Sequence, residues 1–468
     1  MDEPGHNCGW CLAHSLEECY SFIKSLQHRG REAAGIAAVG DERIDVIKWR
    51  GPVNTFELKD LYKILKPENY HTFLGHVRYA TRGRKEKILE DAHPHTIGGK
   101  IDERGSHIII TDCEVAGVHN GQVDEKYFRD LDKSLLRTEC DTEAFLHLFR
   151  ERGEYEILKE VPGAYTIAIA DKRRKEIVVM RDRTGIKPGV LGFRDGKHAA
   201  ASEDIVFKEN KGEFIQDLEP GTVYYFAPNG SYRKEKVVDP NPRYCFFEWN
   251  YIAHQDSVLN GVSVRRIREL LGEKLAEEFS DLEADLVTYL PRCPEPAARS
   301  FARKLGLPFN YVFYKMRAER AFMGSTVSER QASIQQNLYL LPDNEKLKGK
   351  RVICIDDSLI RGNNSKRERE LLYNAGVEKV YHLNYTPPIG IIGQDGKPRG
   401  CLFGVDMPPD DNFIARGRNL EEIEKEMGMP VRYISVEGML EVFRKKGIPP
   451  ENLCTYCIGG PHPFEDLE

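Results

Sequence analysis

Five short segments of this 468-residue chain set polar or charged side chains against glycine or small residues: NCGW (7–10), QHRGREAAGI (27–36), GHVRYATRG (75–83), VHNGQ (118–122) and CDTEA (140–144). Glycine serves where backbone must come close to a ligand, so these segments are candidate linings for a small polar substrate. Each also has an ordinary reading: His-Asn-Gly is a good turn, and Asp141 is a good helix cap. A sixth segment, RVICIDDSLIRGNNSK (351–366), ends an apolar run in two carboxylates and continues into a glycine turn and a helical pattern. Asp356 and Asp357 are placed there to hold a ribose diol or Mg²⁺, and the helix N-terminus suits a phosphate. The plain alternative is a strand–helix loop capped by Ser365.

Eleven cysteines add a further kind of chemistry. Cys8-Gly9-Trp10-Cys11 and Cys454-Thr455-Tyr456-Cys457 are both C-x-x-C pairs, a spacing used by redox dithiols and by four-cysteine zinc sites. No thioredoxin-like strand precedes the first pair, and about 440 residues separate the two.

Two kinds of scaffold must position these groups. Up to about residue 225, short strands mix with helices. PGAYTIAIADKRRKEIVVMRD (162–182) is two apolar runs around a charged turn, a hairpin pattern, and DTEAFLHLFRER (141–152) opens a helix. That mixture predicts an α+β domain with paired sheets. The Pro- and Asn-rich stretch 226–244 reads as a boundary. Beyond it, helices at 263–279, 295–306 and 366–376 alternate with strands at 284–290, 351–356 and 379–385, which predicts an α/β domain with a parallel, doubly wound sheet.

Composition narrows the function classes. Sixty-eight Lys and Arg against 74 Asp and Glu give a net charge of −6, unlike the basic footprint of a nucleic-acid binder. With 40% hydrophobic residues the chain can bury sizeable cores. No apolar run reaches the roughly 18–20 residues of a membrane span, and the first residues lack the apolar core of a secretory signal. An odd number of scattered cysteines is not a secreted disulfide framework. The expectation is a cytoplasmic protein with reduced thiols and no nucleic-acid or membrane partner.

Taken together and in order, the N-terminal segments resemble the class II, N-terminal-nucleophile glutamine amidotransferase domain, as do RDRTGIKPGVLG (181–192) and ASEDI (201–205). The resemblance implies an αββα fold in which Cys8 attacks the side-chain amide of glutamine, with its own α-amino group as base. A free α-amino group has a pKa of about 7.7–8.0, close enough to neutral to take the thiol proton. It further implies that Asn120 and the Gly121 N–H form an oxyanion hole, that Arg78 holds the glutamine α-carboxylate, and that Asp141 pairs with its α-ammonium. Because Cys8 is not the first encoded residue, residues 1–7 are read as a propeptide cut at Asn7–Cys8; loss of the initiator Met alone would leave Asp2.

The segment 351–366 is similar to the phosphoribosyl-diphosphate motif of type I phosphoribosyltransferases. CFFEWNYIAHQDSVLNGVSV (245–264), KMR (315–317), TPPI (386–389) and YISVEGM (433–439) resemble one branch, the glutamine phosphoribosyldiphosphate amidotransferases. That resemblance implies a glutaminase domain at 8–235 and a phosphoribosyltransferase-like domain at 245–468, with Arg361, Gly362, Asn363, Asn364 and Ser365 in the phosphate turn and Mg²⁺ at Asp356 and Asp357. Ammonia would pass internally to phosphoribosyl diphosphate, giving 5-phosphoribosylamine for purine synthesis, in a homo-oligomer. Cys245, Cys401, Cys454 and Cys457 match the ligands of a structural [4Fe–4S] cluster in part of the family; the alternative is four buried free thiols.

Departures fall in the acceptor half. Asn363 and Asn364 stand where most members have two threonines, keeping donors with a different reach. Arg292, Cys293, Pro294 and Glu295 stand where the diphosphate loop reads Asp-Ser-Gly-Thr; Pro294 lacks an N–H, and Glu295 brings negative charge towards a polyanion. Gln335, Gln336 and Asn337 replace the usual basic residues. Two alternatives follow: a glutaminase with a different phosphorylated acceptor, and a non-catalytic relative that binds a nucleotide or partner.

Overall fold

The computed structural model describes residues 8–79, 87–315, 338–342 and 344–465. The segment 1–7, the end of GHVRYATRG, Met316 and Arg317 of KMR, and Gln335, Gln336 and Asn337 lie outside the described residues.

The strands β1 (Gly9–Ala13), β2 (Ala33–Val39), β3 (Ile44–Arg50) and β4 (Thr72–Arg78) are buried almost throughout. They are joined by β5 (His95–Glu103), β6 (His107–Gln122), β7 (Ala164–Asp171), β8 (Ile177–Arg181), β9 (Val190–Arg194), β10 (Lys197–Ala201), β11 (Glu213–Asp217), β12 (Thr222–Phe226) and β13 (Tyr232–Lys236). Hydrogen bonding links them in the order β11-β9-β10-β1-β4-β2-β3-β6-β7-β8-β12-β13, with β5 on β6. The long strand β6 changes partner along its length: Ile108 to Ile110 pair with β3, and Val115 to Gln122 pair with β7. Asp112, at φ +56°, stands between the two stretches.

Strand alternation sorts the side chains into layers. Trp10 and Leu12 of β1 share one core with Ala168 and Ala170 of β7, so the two ends of the strand path pack face to face. Cys11 and Ala13 face the other way, onto α1 (Leu16–Ser25), α2 (Leu58–Leu65) and α4 (Ile205–Glu209). Ile167 and Ile169 face α3 (Asp141–Glu160). This is the αββα arrangement, and β7–β8 is the expected hairpin. The helix expected at 141–152 runs on to Glu160 across a break at Gly153. Asp141 is not its cap: Cys140 holds that position, and Asp141 Oδ2 instead accepts the Val123 N–H at 2.9 Å.

The second half carries four parallel strands, Leu286–Tyr289, Arg351–Asp356, Lys379–Asn384 and Val431–Tyr433, ordered as in the chain. Ile353 and Ile355 join a core with α5 (Val264–Glu278), α6 (Glu295–Leu305) and the helix Val436–Lys445. Val352 and Cys354 face the helices Asn363–Asn374 and Leu420–Met427. The sheet is therefore covered on both faces, as the continuous apolar runs require. The helix expected from 366 begins at Asn363, directly after Gly362 at φ +83°; Ser365 lies buried inside it and is not its cap. No helix among the described residues is long and apolar enough to cross a membrane.

A buried charge cluster joins the two halves. Arg29, fully buried, donates to Glu203 and to both carboxylate oxygens of Glu248 at 2.9 and 3.0 Å. Glu203 also accepts the His254 N–H at 2.9 Å and the Ser257 hydroxyl at 2.6 Å. Arg29→Met leaves two buried carboxylates without their counter-charge, and a loss of about 3–5 kcal/mol is expected, read from the denaturant midpoint. An unchanged midpoint would contradict this. Desolvation pushes the Glu203 carboxyl up, but His28, Arg29 and the hydrogen bonds outweigh it and hold it well below the usual range. A depressed folded value stabilises fully above the ordinary glutamate pKa of about 4.3, and that contribution is lost as pH falls below it.

Candidate active sites

Gly9 pairs with Val77, which brings Cys8 alongside Arg78. The Cys8 carbonyl accepts Arg29 Nε–H at 3.1 Å, and Cys8 Sγ lies 3.9 Å from the Tyr79 carbonyl oxygen. Burial pushes the thiol pKa up, opposed by the Tyr79 carbonyl and the charges of Arg78, Lys187 and Arg29. A thiol in this state needs a base before it can attack. Cys11 is no partner for it: its sulfur faces α1, 4.0 Å from Cys19 Sγ, which removes the dithiol reading.

His76 on β4 bonds the His119 carbonyl at 3.0 Å and so ties β4 to the end of β6. Asn120, only 1% exposed, has an Nδ2 group with no hydrogen-bond partner. A buried donor left unsatisfied costs about 1–3 kcal/mol, the signature of a group kept for a ligand. At Gly121 a Cβ would overlap the Ala164 carbonyl oxygen. Gly121→Ala is therefore expected to push β6 off β7 and to lower glutamate release from glutamine at least about tenfold, ~1.4 kcal/mol of barrier. A variant as active as the parent would contradict this placement.

Arg78 is buried, with Nη1 3.3 Å from the Ile88 carbonyl and Nη2 3.7 Å from Asp91. Asp141 stands at the start of α3, where one carboxylate oxygen holds the Val123 N–H just past β6.

In the second half, Asp356 and Asp357 stand at the carboxyl end of their strand, both buried. Desolvation and the neighbouring Asp357 push the Asp356 carboxyl well above its ordinary range, and desolvation pushes Asp357 up to about 6. The charges of Lys315 and Arg268 oppose the rise at Asp357. Such a pair favours a cation or hydroxyl donors between them. Gly362, Asn363, Asn364 and Ser365 form the turn and the first residues of the next helix. Arg361 is engaged elsewhere, by Asp411 and by the Asp406 carbonyl at 3.3 Å. In the altered loop, Glu295 accepts from Arg299 Nε–H at 3.0 Å and from the Tyr311 hydroxyl at 2.8 Å, so its charge is already compensated. Cys293 is the loop residue within electrostatic reach of Asp356 and Asp357.

Cys245, Cys401, Cys454 and Cys457 line one cavity together with Lys187. The short parallel pairing of Tyr244–Cys245 with Leu453–Cys454 sets Cys245 beside Cys454. Among the described residues no three of these sulfurs approach within 4.8 Å of one another, as tetrahedral zinc with bonds of about 2.3 Å would require.

The two sites adjoin. Asp406 and Arg361 lie within electrostatic reach of Tyr79, whose carbonyl faces Cys8 Sγ. Tyr251 is within reach of Tyr79 on one side and of Cys293, Asp357 and Asp356 on the other. Gly404 packs against Gly121, where a Cβ would stand 3.0 Å from the Gly121 carbonyl oxygen.

Two residues escape sequence reading. Lys187 is fully buried, its ammonium without a hydrogen-bond partner, within reach of Cys8, His119 and Cys245. His382 bonds Glu368 at 2.9 Å and lies 3.8 Å from Asp356 on the adjacent strand, all three buried. A lone histidine in the apolar run KVYHLNY, and the lysine of the motif RDRTGIKPGVLG, were the available signals.

A description of the glutamine amidotransferase domain matches residues 101–238. Amidophosphoribosyltransferase of Archaeoglobus fulgidus is 31% identical over 95% of this chain and 94% of its own. That of Bacillus subtilis is 29% identical over 97% and 93%. The solved glutamine phosphoribosylpyrophosphate amidotransferase of B. subtilis, complexed with ADP and GMP, superposes with a TM-score of 0.80 at 26% identity, covering 97% of both chains. A second solved structure, described as the allosteric regulatory enzyme of purine biosynthesis, gives a TM-score of 0.80 at 27% identity over 97% and 96%. With its half-buried thiol at the start of β1, an unsatisfied buried asparagine on β6, its carboxylate pair at the end of a parallel strand, and this likeness from end to end, the chain belongs to the amidophosphoribosyltransferase family.

Proposed function

We propose that the protein is a glutamine-dependent amidophosphoribosyltransferase of purine synthesis, with residues 8–235 as glutaminase and 245–468 as acceptor domain once residues 1–7 are removed. The observation that carries the glutaminase half is the buried Asn120 amide with no partner on the strand that adjoins Cys8. Removal of the leading residues turns the Cys8 amide nitrogen into an amine, which takes the thiol proton. The sulfur adds to the glutamine side-chain carbonyl, and Asn120 Nδ2 and the Gly121 N–H receive the negative charge on oxygen. The amine returns its proton to the leaving nitrogen, ammonia departs, and water cleaves the thioester to glutamate. Arg78 holds the α-carboxylate and Asp141 the α-ammonium; Asp141 Oδ2 accepts the Val123 N–H, and Oδ1 accepts only a long contact of 3.6 Å from Cys140 Sγ.

Ammonia then moves past Tyr79 and Tyr251 towards Asp357, and displaces diphosphate from the anomeric carbon of phosphoribosyl diphosphate. Asp356 and Asp357 would hold the ribose hydroxyls or Mg²⁺, an ion that would supply positive charge for the diphosphate leaving group. The turn Gly362–Ser365 receives the 5-phosphate. The compensation of Glu295 by Arg299 and Tyr311 favours this acceptor over the alternative raised by the altered loop. A diazoketone analogue of glutamine is expected to alkylate Cys8 alone among the eleven cysteines, read by peptide mass spectrometry. Labelling at another cysteine with Cys8 unmodified would contradict the reading.

Cys245, Cys401, Cys454 and Cys457 suit a [4Fe–4S] cluster, whose negative charge would meet the otherwise unpartnered Lys187 ammonium. Bound there it would cross-link the strands at Cys245 and Cys454 to the Cys401 loop. Anaerobically purified protein is expected to be brown, with about four iron and four sulfide per chain. Colourless, iron-free protein would contradict this assignment.

A further inference from the structure

The start of β5 and the start of α3 bring together three soft donors that the amidotransferase chemistry does not use. One ring nitrogen from each of His93 and His95, and the Cys140 sulfur, all lie within 4.8 Å of one another. Both histidines are buried. His93 Nε2 is engaged by the Thr142 hydroxyl at 2.9 Å and His95 Nε2 by the Asp91 carbonyl at 3.2 Å. On His93 the other ring nitrogen, Nδ1, is buried with no partner at all. Ligating histidines characteristically have the opposite ring nitrogen anchored by a carbonyl or other oxygen in this way.

We propose that His93, His95 and Cys140 form a binding site for Zn²⁺ or a similar soft divalent ion, which ties β5 to α3. Two imidazoles and a thiolate make three of the four ligands of a tetrahedral site, leaving one position for water or an incoming group. Lys48 and Arg78 bear on these donors, and Asp141, whose Oδ1 accepts from Cys140 Sγ at 3.6 Å, is the carboxylate beside them, so thiolate and imidazole rather than a carboxylate cage would hold the ion. Lys48 donates to the Glu90 and Ala92 carbonyls at 2.7 and 2.9 Å, which keeps its ammonium off the sulfur. The site is separate from the cavity of Cys245, Cys401, Cys454 and Cys457, and does not rest on the assignment of a cluster there.

Alkylation of the full-length protein with and without Zn²⁺, resolved by peptide mass spectrometry, reads Cys140 apart from the ten other cysteines. Zn²⁺ is expected to slow modification of Cys140 at least about tenfold, and His95→Gln should remove most of that protection. Co²⁺ titration gives a second readout: the parent should bind one equivalent more than Cys140→Ser, with a thiolate-to-metal charge-transfer band in the difference spectrum. Equal Cys140 labelling with and without Zn²⁺ would overturn the proposal. So would superimposable Co²⁺ titrations of the parent and Cys140→Ser. Should His95→Gln fail to fold, protection in the parent protein and the Cys140→Ser comparison still decide it.

Discussion

Cys8→Ala is expected to abolish glutamate release from glutamine, by at least about a thousandfold, while free ammonia at high concentration still supports formation of phosphoribosylamine. The magnitude follows from the role. Without the sulfur no thioester forms, and the donors at Asn120 and Gly121 have no tetrahedral adduct to stabilise. The remaining activity follows from the division of labour, because the carboxylates Asp356 and Asp357 stand on a different sheet from β1. N-terminal sequencing completes the test. Burial pushes the Cys8 thiol pKa up, against the Tyr79 carbonyl and the nearby cations, so the attack depends on a nearby base. An active chain that still begins at Met1 or Asp2 would remove the α-amine from that role.

The complementary result is expected at Asp356. Asp356→Asn should lower phosphoribosyl transfer by about 10²–10³-fold, ~2.7–4 kcal/mol, with glutamine or with ammonia as nitrogen source. The carboxyl is buried beside Asp357 and backed by His382 and Glu368, an arrangement that costs stability unless a cation or hydroxyl donors occupy it. Removing its charge relieves that cost, so the variant should fold at least as well as the parent while losing activity. Transfer at the parental rate with both nitrogen sources would place the acceptor elsewhere.

How far these sites were legible depends on how they are built. Cys8, Asn120 and Gly121 sit in short contiguous motifs, because a nucleophile beside a strand end and a donor on a bent strand each need a fixed local sequence. The parallel sheet was legible in the alternation of apolar runs and helical patterns, and the strand 351–356 has the expected bounds. Helix starts were less so. Asp141 and Ser365 both looked like caps, but tertiary contacts claimed them: the Val123 N–H for one, burial within the helix for the other. The altered loop was legible only in part. Glu295 reads as a charge facing a polyanion, and the fold pairs it with Arg299 and gives it the Tyr311 hydroxyl, the second of which local sequence does not join to it. Lys187 and the set His93, His95 and Cys140 are products of tertiary assembly, and no local spacing joins Cys140 to the two histidines.

The central claim is that one chain couples glutamine hydrolysis to an acceptor at Asp356 and Asp357. Its most direct test follows glutamate and diphosphate together, in protein processed to Cys8, with and without phosphoribosyl diphosphate and Mg²⁺. The account predicts that phosphoribosyl diphosphate stimulates glutamate release and that about one diphosphate appears per glutamate. Glutamate release that ignores phosphoribosyl diphosphate, with no diphosphate formed, would contradict it.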